Sequence, residues 1–298
     1  MMMDMIQEKQ SINAMVHPMD CQKGFKDLSN HSVSLILTDP PYFIDGMDDH
    51  WNHVKLNHKT RKNGVVGKLP VGMKFDPKQG KRLQKFMTPV AKECLRIIKP
   101  GGFFLCFTQN RLSHRMAISL ENAGFEIRDM FVWYYEKGGQ PKAFTQDHFV
   151  KKRKISEKEK DRLIQKLGGR KTAQLKPESE FIILAQAPKE GTYVDNWDRW
   201  ETGLIDVSNP YINQHKFPST VMPCDKNKEK IDHMTVKPID LLRHLIRIFS
   251  IEGSLVLDPF SGSGSTGVAC LLENRNYVGF EIDRQIAVDS QKRINEYL

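Results

Sequence analysis

Apolar residues along the chain form short runs that alternate with stretches of helical periodicity. The apolar runs predict six buried strands, at residues 33–38, 103–107, 125–135, 181–185, 254–257 and 277–280. Apolar positions at helical spacing predict helices at residues 83–98, 111–123, 238–249 and 266–273 and at the C-terminal end. Strands that alternate with helices are typical of a parallel sheet covered on both faces, so we expect an α/β protein.

Two segments depart from this pattern. Residues 43–80 are polar and rich in Gly, Lys, Asn and His, which predicts a long mobile loop of the kind that closes over a site. Residues 137–232 combine a basic tract with scattered aromatic residues, and only the strand at 181–185 is expected to return to the core. Residues 189–232, in which aromatic residues stand among polar residues and prolines, are predicted to be irregular. The chain thus divides into a first half of the core (1–136), an insertion (137–232) and a second half of the core (233–298).

Charge and cysteine usage narrow the class of protein. The formal net charge of +9 favours a polyanionic partner, since Lys and Arg release counterions from phosphate groups. The five cysteines include no CxxC pair and no framework typical of small secreted proteins, so we expect reduced thiols and assign no metal site. The sequence shows neither the build of a signal peptide nor an apolar run of membrane-spanning length, which predicts a soluble cytoplasmic protein.

A glycine-rich loop follows the fifth predicted strand. Gly262, Gly264 and Gly267 match the G-x-G-x-x-G fingerprint of dinucleotide-binding folds, in which the backbone approaches a ligand closely. Asp258 precedes the loop, where a carboxylate would repel a pyrophosphate but attract a cationic ligand. Glu281 ends the next strand and can accept hydrogen bonds from ribose hydroxyls. The pattern favours an adenosine cofactor with a cationic group over NAD or a glycine turn with structural acids, and no lysine stands in P-loop position.

The tetrapeptide Asp39-Pro40-Pro41-Tyr42 directly follows the first predicted strand. Alone, it is also compatible with a simple turn. An exocyclic amino group of a base is a poor nucleophile, and it needs two acceptors that hold its hydrogens during methyl transfer. The Asp39 carboxylate and the Pro40 carbonyl can be those acceptors, and Tyr42 offers an aromatic face on which an extruded base can stack. These residues predict a catalytic loop.

With this loop ahead of the glycine loop, the chain resembles the β group of S-adenosylmethionine-dependent DNA amino methyltransferases over most of its length. The resemblance implies a Rossmann-like methyltransferase core with a seven-stranded, mostly parallel sheet and a target-recognition insertion, and S-adenosylmethionine as cofactor. The implied cofactor-binding residues are Asp20, Thr235, Lys237, Asp258, Phe260, Gly262, Ser263, Gly264 and Glu281.

Roles for some of these residues follow from the same resemblance. Asp20 would lie near the adenine of the cofactor and Phe260 at its methionine end, while Thr235 and Lys237 would lie near the methionine carboxylate. His233 is interpreted as a structural hydrogen-bonding residue, since this route to amine methylation needs no histidine base.

The order of motifs in the family also implies that the target-recognition region lies in the insertion. Double-stranded DNA is the expected partner, and the candidate contacts are Lys151, Lys152, Arg153 and Lys154. The alternative for this tract is a solvated helix face, because Lys and Glu alternate from residue 155 onward. Trp197 and Trp200 are as compatible with packing of the insertion as with contacts to a base, so neither is assigned as a base-contacting residue. The recognition sequence cannot be read from these residues.

The preferred hypothesis is methylation of N6 of an adenine flipped out of duplex DNA by a nucleoid-associated enzyme. Family members usually have Asp at the first loop position for adenine and Ser for cytosine N4, so Asp39 favours adenine. Four alternatives stay open: a cytosine N4 methyltransferase, an RNA or protein amino methyltransferase, a non-catalytic DNA-binding subunit and an NAD-dependent oxidoreductase. A homodimer and a cognate restriction endonuclease, both compatible with the family, are left open too.

Overall fold

Ten strands, nine α-helices and two short 3-10 helices are present in the residues that the computed structural model describes, which are 12–41, 60–63, 66–70, 78–136, 146–173, 175–208, 210–214, 216–225 and 236–298. The strands are β1 (Ala14–His17), β2 (Val33–Thr38), β3 (Thr60–Asn63), β4 (Val66–Pro70), β5 (Ile98–Thr108), β6 (Glu126–Tyr134), β7 (Ser179–Gln186), β8 (Val221–Pro223), β9 (Leu255–Asp258) and β10 (Asn276–Phe280). The helices are α1 (Cys21–Gly24), α2 (Gln79–Ile97), α3 (Ser113–Ala123), α4 (Asp147–Lys151), α5 (Glu157–Leu167), α6 (Tyr193–Trp200), α7 (Ile239–Phe249), α8 (Ser265–Leu272) and α9 (Arg284–Asn295).

Eight of the strands form one mixed sheet in the order β1-β10-β9-β2-β5-β7-β6-β8. The first five in this order pair in parallel, β7 runs antiparallel to both of its neighbours, and β8 pairs in parallel with β6. The carboxyl ends of the parallel strands therefore meet at one edge of the sheet. Because β7 is reversed, its first residues lie at that same edge.

Helices cover both faces of this sheet. Leu35 and Leu37 of β2 belong to the hydrophobic core that includes residues of α7, α8 and α9, whereas Ile36 belongs to the core that includes residues of α2 and α3. A strand that is buried on both faces reads as a continuous apolar run, which is why the sequence predicts β2 so clearly. At the end of α3, Gly124 adopts the left-handed conformation with φ of 107° and closes the helix as a C-cap.

The predicted Rossmann-like α/β fold is confirmed, and all six predicted strands are present. Strand β5 begins at Ile98 rather than at the predicted residue 103, and the other ends shift by at most two residues. The main sheet has eight strands where seven were expected. The short strand β8 pairs along the outer edge of β6, and four-residue β1 pairs with β10 at the opposite edge. Such short strands carry too little periodic signal to be recognised from the sequence.

Two predicted irregular segments contain regular structure. Residues 60–63 and 66–70, inside the predicted loop at 43–80, pair as an antiparallel two-stranded sheet, and much of the remaining segment lies outside the described residues. The stretch at 189–232, predicted to be irregular, contains α6, which begins with a capping box between Thr192 and Asp195. No helix in the described ranges is both long and apolar enough to cross a membrane.

Candidate active site

A row of acidic side chains follows the carboxyl ends of neighbouring parallel strands. Asp20 lies shortly after β1, Glu281 directly follows β10, Asp258 is the last residue of β9, and Asp39 directly follows β2. The strands neighbour one another in that order, at a spacing of about 4.8 Å per strand. The sheet thus converts four acids that are distant in sequence into one row along its edge, which is where open α/β folds bind ligands.

The glycine loop between β9 and α8 is held close to its surroundings by backbone geometry and side-chain hydrogen bonds. Gly264 has a φ of 77°, and a Cβ at this position would approach the Ser290 Oγ to 2.4 Å, so no other residue fits without displacement. The Glu281 carboxylate accepts the backbone N–H of Gly262 at 3.0 Å, and Arg293 donates to the carbonyl of Ser263 at 3.1 Å. These contacts fix the glycine loop next to Glu281, the acid that directly follows β10.

Asp258 connects the glycine loop to β2, the strand that the predicted catalytic tetrapeptide follows. The Thr38 hydroxyl donates to Asp258 Oδ1 at 2.6 Å, and the backbone N–H of Phe260 donates to the same oxygen at 3.0 Å. Asp258 is almost completely buried, and burial raises the pKa of its carboxyl to about 6, against the lowering effect of its hydrogen bonds. Since Thr38 immediately precedes Asp39, one buried carboxylate sets the relative position of both loops.

Asp39 forms an ion pair with Lys237, which stands just before α7. The Lys237 ammonium also lies 3.4 Å from Glu180 Oε2, and 5.1 Å above the ring centroid of Phe107. Burial lowers the pKa of Lys237, but the carboxylates of Asp39 and Glu180 outweigh this effect and bring the pKa above its ordinary value of 10.5. Lys237 therefore stays a cation between two anions.

The structure places the remaining cofactor candidates as follows. Asp20 caps α1 by accepting the backbone N–H of Gln22 at 2.8 Å, and the ring of Phe260 packs against Phe86 with centroids 5.8 Å apart. Ser263 lies in the glycine loop, where its hydroxyl is 3.2 Å from that of Ser265. Thr235 lies outside the described residues, as does His233.

In the predicted catalytic tetrapeptide, Pro40 is buried and Pro41 is half-buried at the end of β2, next to Asp39. Tyr42 lies outside the described residues. The basic residues Lys151, Lys152, Arg153 and Lys154 are exposed at the end of α4 and in the turn after it, away from the glycine loop in sequence and on a different element.

The arrangement suits an adenosine cofactor that carries positive charge. Burial raises the pKa of both Asp258 and Glu281, which is the response of carboxyl groups with too little positive charge beside them. A sulfonium or ammonium bound near Asp258 would relieve this cost. Glu281 retains lone pairs beyond the two backbone N–H groups it accepts, so ribose hydroxyls can bind to it as well.

Comparison with known proteins identifies the family. Residues 33–292 match the family model N6_N4_Mtase, described as DNA methylase, and the chain belongs to this family of DNA amino methyltransferases. The Type II methyltransferase M.HindIII of Haemophilus influenzae is 28% identical over 277 residues, which cover 86% of this chain and 87% of that protein.

Solved structures agree on the fold. The cytosine-N4-specific PvuII DNA methyltransferase has a TM-score of 0.60 at 15% identity, covering 96% of this chain and 91% of that one. TTHA0409 of Thermus thermophilus, a putative DNA modification methylase complexed with S-adenosyl-L-methionine, has a TM-score of 0.58 at 18% identity, covering 95% of this chain and 94% of that one. At these identities the likeness establishes the fold.

Two residues of the site were not predicted from the sequence. Glu180 stands before an apolar run and looks like the exposed first residue of a strand; only the reversed direction of β7 brings it to the active edge. Thr38 is the last residue of a buried strand, and a polar residue there, directly ahead of Asp39, is the signal that identifies it.

Proposed function

We propose that the protein is a site-specific DNA methyltransferase that transfers the methyl group of S-adenosylmethionine to N6 of an adenine flipped out of duplex DNA. The observation that carries the proposal is the hydrogen bond between Thr38 and Asp258. It ties the strand that ends in Asp39 to the strand that opens the glycine loop. A methyl donor bound at the glycine loop and an amino group held by Asp39 would thereby be neighbours, and such positioning is a large part of the catalysis of group transfer.

The cofactor is proposed to lie along the row of acids, with its adenosine toward β1 and β10. Asp20 would lie near the adenine, Glu281 would accept the ribose hydroxyls, and the backbone of Gly262, Ser263 and Gly264 would line the centre. Phe260 and Thr235 are the candidates for its methionine end; the family resemblance also implies Lys237 there, but the Lys237 ammonium pairs with Asp39. S-adenosylmethionine supplies an electrophilic methyl group on a sulfonium, and the buried Asp258 carboxylate favours a cationic ligand beside it.

The base is proposed to bind at the end of β2. The Asp39 carboxylate and the Pro40 carbonyl accept the two hydrogens of the amino group, and the two prolines limit the movement of that carbonyl. Tyr42 stacks on the flipped base, an interaction worth about 1–3 kcal/mol. Pro41 connects Pro40 to Tyr42. Basic residues 151–154 are proposed to contact the phosphate backbone of double-stranded DNA.

Adenine is chosen over cytosine because Asp, rather than Ser, stands at the first position of the tetrapeptide. Cytosine N4 remains the second candidate, since a cytosine-N4-specific enzyme is among the similar structures. Both bases present an amino group of the same chemistry, so the acceptors at Asp39 and Pro40 serve either one.

The test is to incubate the protein with isotope-labelled S-adenosylmethionine and with DNA, RNA and protein in parallel, and to analyse nucleosides and amino acids by mass spectrometry. Labelled N6-methyladenine from duplex DNA is expected. N4-methylcytosine alone would refute the adenine assignment, and label only in RNA or protein would refute the choice of DNA. Asp39→Ala should abolish transfer and retain cofactor binding, whereas the surface variant Asp289→Asn should match the parent protein.

A further inference from the structure

Lys237 is shared between two carboxylates that belong to different parts of the fold. Asp39 follows β2, and Glu180 is the second residue of the reversed strand β7. The Lys237 side chain is only 8% exposed, and its ammonium pairs with Asp39 while lying 3.4 Å from Glu180 Oε2. The ammonium donates to Asp39, while Glu180 Oε2, which is buried and accepts no hydrogen bond from the described residues, lies within ion-pair distance of it. An ammonium has three N–H donors, so a small movement would let it donate to both carboxylates.

The charged and titratable groups around this ion pair come from several strands. Glu180 faces Lys237 from β7, Asp258 adds negative charge near Asp39 from β9, and Cys106 approaches from β5. Burial raises the pKa of the Cys106 thiol well above its ordinary value, so this group is neutral.

Tyr135, just after β6, is a further titratable group near the ion pair of Asp39 and Lys237. Burial and the charge of Glu180 raise the pKa of its hydroxyl to about 12, so this group is neutral too. Among the described residues, Lys237 is thus a cation that lies close to both Asp39 and Glu180. Removing it would leave Asp39 and Glu180 as like charges in a poorly solvated place, which is unfavourable.

We propose that Lys237 is a positioning residue that orients the Asp39 carboxylate toward the amino group of the target base, and that Glu180 anchors Lys237 from the other side. Lys237 restrains one oxygen of Asp39, because an ion pair in a buried place has little freedom to rotate. This inference rests on the proposed function, since it assigns the orientation of the acceptor of the amino group. It differs from the role that the family resemblance implies for Lys237, which is binding of the cofactor carboxylate.

The first experiment measures the network without any reaction. In protein labelled with ¹⁵N at lysine Nζ, the Lys237 resonance is assigned by its loss in Lys237→Met, and its pKa is measured by NMR in the parent, Asp39→Asn and Glu180→Gln. Each neutral substitution should lower the pKa of Lys237, by about 1–3 units, because burial is then opposed by one carboxylate only. A pKa that does not change in Glu180→Gln refutes the anchoring role of Glu180, and one that does not change in Asp39→Asn refutes the pair itself.

The second experiment separates positioning of Asp39 from binding of the cofactor. Lys237→Met should lower kcat about 100-fold while KM for S-adenosylmethionine changes by no more than about threefold, because a misplaced acceptor affects only the chemical step. Glu180→Gln should lower kcat by a smaller factor and should also leave KM for S-adenosylmethionine nearly unchanged. Lys292→Met and Glu126→Gln, both on the surface, serve as matched controls and should behave as the parent.

A rise in KM for the cofactor with kcat unchanged would overturn the proposal in favour of carboxylate binding. A parent protein that binds S-adenosylmethionine but methylates no DNA would instead contradict the proposed function. In that case the NMR titration still decides whether the shared ion pair exists, so the two failures are distinguishable.

Discussion

The Thr38 hydroxyl donates a 2.6 Å hydrogen bond to Asp258 across 220 positions of sequence, at the boundary between two neighbouring parallel strands. Asp258 is buried, so loss of the Thr38 hydroxyl removes one of the two donors to Oδ1 and leaves the Phe260 N–H as the other, which compensates less of the cost of burying the carboxylate. The strand that carries Asp39 and the strand that opens the glycine loop therefore depend on one another for their position.

Thr38→Val should accordingly destabilise the protein by about 1–3 kcal/mol, because it keeps the shape of the side chain and removes the donor. Methyl transfer should fall about tenfold as the two loops shift relative to each other. Urea unfolding and initial rates measure these effects. Thr88→Val is the matched control, since the Thr88 hydroxyl bonds only within its own helix, to the carbonyl of Gln84. Equal stability of Thr38→Val and Thr88→Val would contradict the role of Thr38.

Binding of S-adenosylmethionine should depend on pH through Asp258. Burial raises the pKa of this carboxyl to about 6, and a bound cation favours its ionised form. Binding then releases a proton below about pH 6, so affinity should rise as the pH increases toward 6, by up to about tenfold per pH unit. Calorimetry in buffers of different ionisation enthalpy detects the proton. Asp258→Asn should lose this pH dependence and Asp289→Asn should keep it; a parent affinity that does not vary between about pH 4.5 and 7 would count against the assignment.

His244 should make the protein less stable in acid. Its ring is buried, its Nδ1 accepts the backbone N–H of Ile212 at 3.0 Å, and burial lowers its pKa to about 4. The folded-state pKa lies below the ordinary value of 6.5. The contribution of His244 to stability is therefore fully present above pH 6.5 and is lost as the pH falls toward 4, by about 3 kcal/mol in total. His244→Gln should show a smaller loss in urea unfolding between about pH 7 and 4.5.

Asp258 changes the stability of the protein with pH in the opposite direction to His244, over nearly the same pH range. Its folded-state pKa is raised, so its contribution to stability is fully present below pH 3.8 and is lost as the pH rises through about 6. The two effects offset each other in the parent protein, and only the difference between the parent and His244→Gln isolates the histidine. A difference that is constant with pH would refute the prediction.

Glu273 should be important for stability away from the active site. Its carboxylate is 4% exposed and pairs with both Arg243, at 2.5 Å, and Arg247, while the ring of Tyr211 lies 4.2 Å from the first guanidinium. Glu273→Gln leaves two arginines without their anion and should cost about 3–5 kcal/mol in urea unfolding. The exposed pair of Glu126 and Arg128 provides the control, since Glu126→Gln should cost less than about 1 kcal/mol. Similar costs for the two variants would refute the prediction.

The basic tract should set the salt dependence of DNA binding. If Lys151, Lys152, Arg153 and Lys154 contact phosphates, replacing all four by Ser should reduce the slope of log K against log salt by about 3–4. Fluorescence anisotropy with a duplex at several salt concentrations measures the slope. A double variant on another helix, in which the exposed residues Lys292 and Arg284 of α9 are replaced by Ser, should change it little. An unchanged slope in the fourfold variant would favour the alternative of a solvated surface.

Local patterns predicted the elements of this protein well. The apolar run of β2, the glycines before α8 and the acids at strand ends are all visible in windows of a few residues, because burial on both faces and close backbone approach restrict residue types locally. Helix α6 was missed although Thr192 and Asp195 have the spacing of a capping box, since the surrounding prolines and aromatic residues suggested an irregular segment.

By itself the sequence determined the α/β class, and it predicted the glycine loop as a cofactor site and Asp39 as the catalytic residue, because each prediction follows from hydrophobic periodicity or from the chemistry of a short motif. Only the tertiary structure decided that β7 inserts in reverse between β5 and β6, bringing Glu180 to the active edge, and that Lys237 pairs with Asp39 across 198 positions. Strand order and long-range ion pairs depend on how complete faces pack together. No local window of sequence contains that information, which is why the ion-pair partner of Asp39 became visible only in the folded chain.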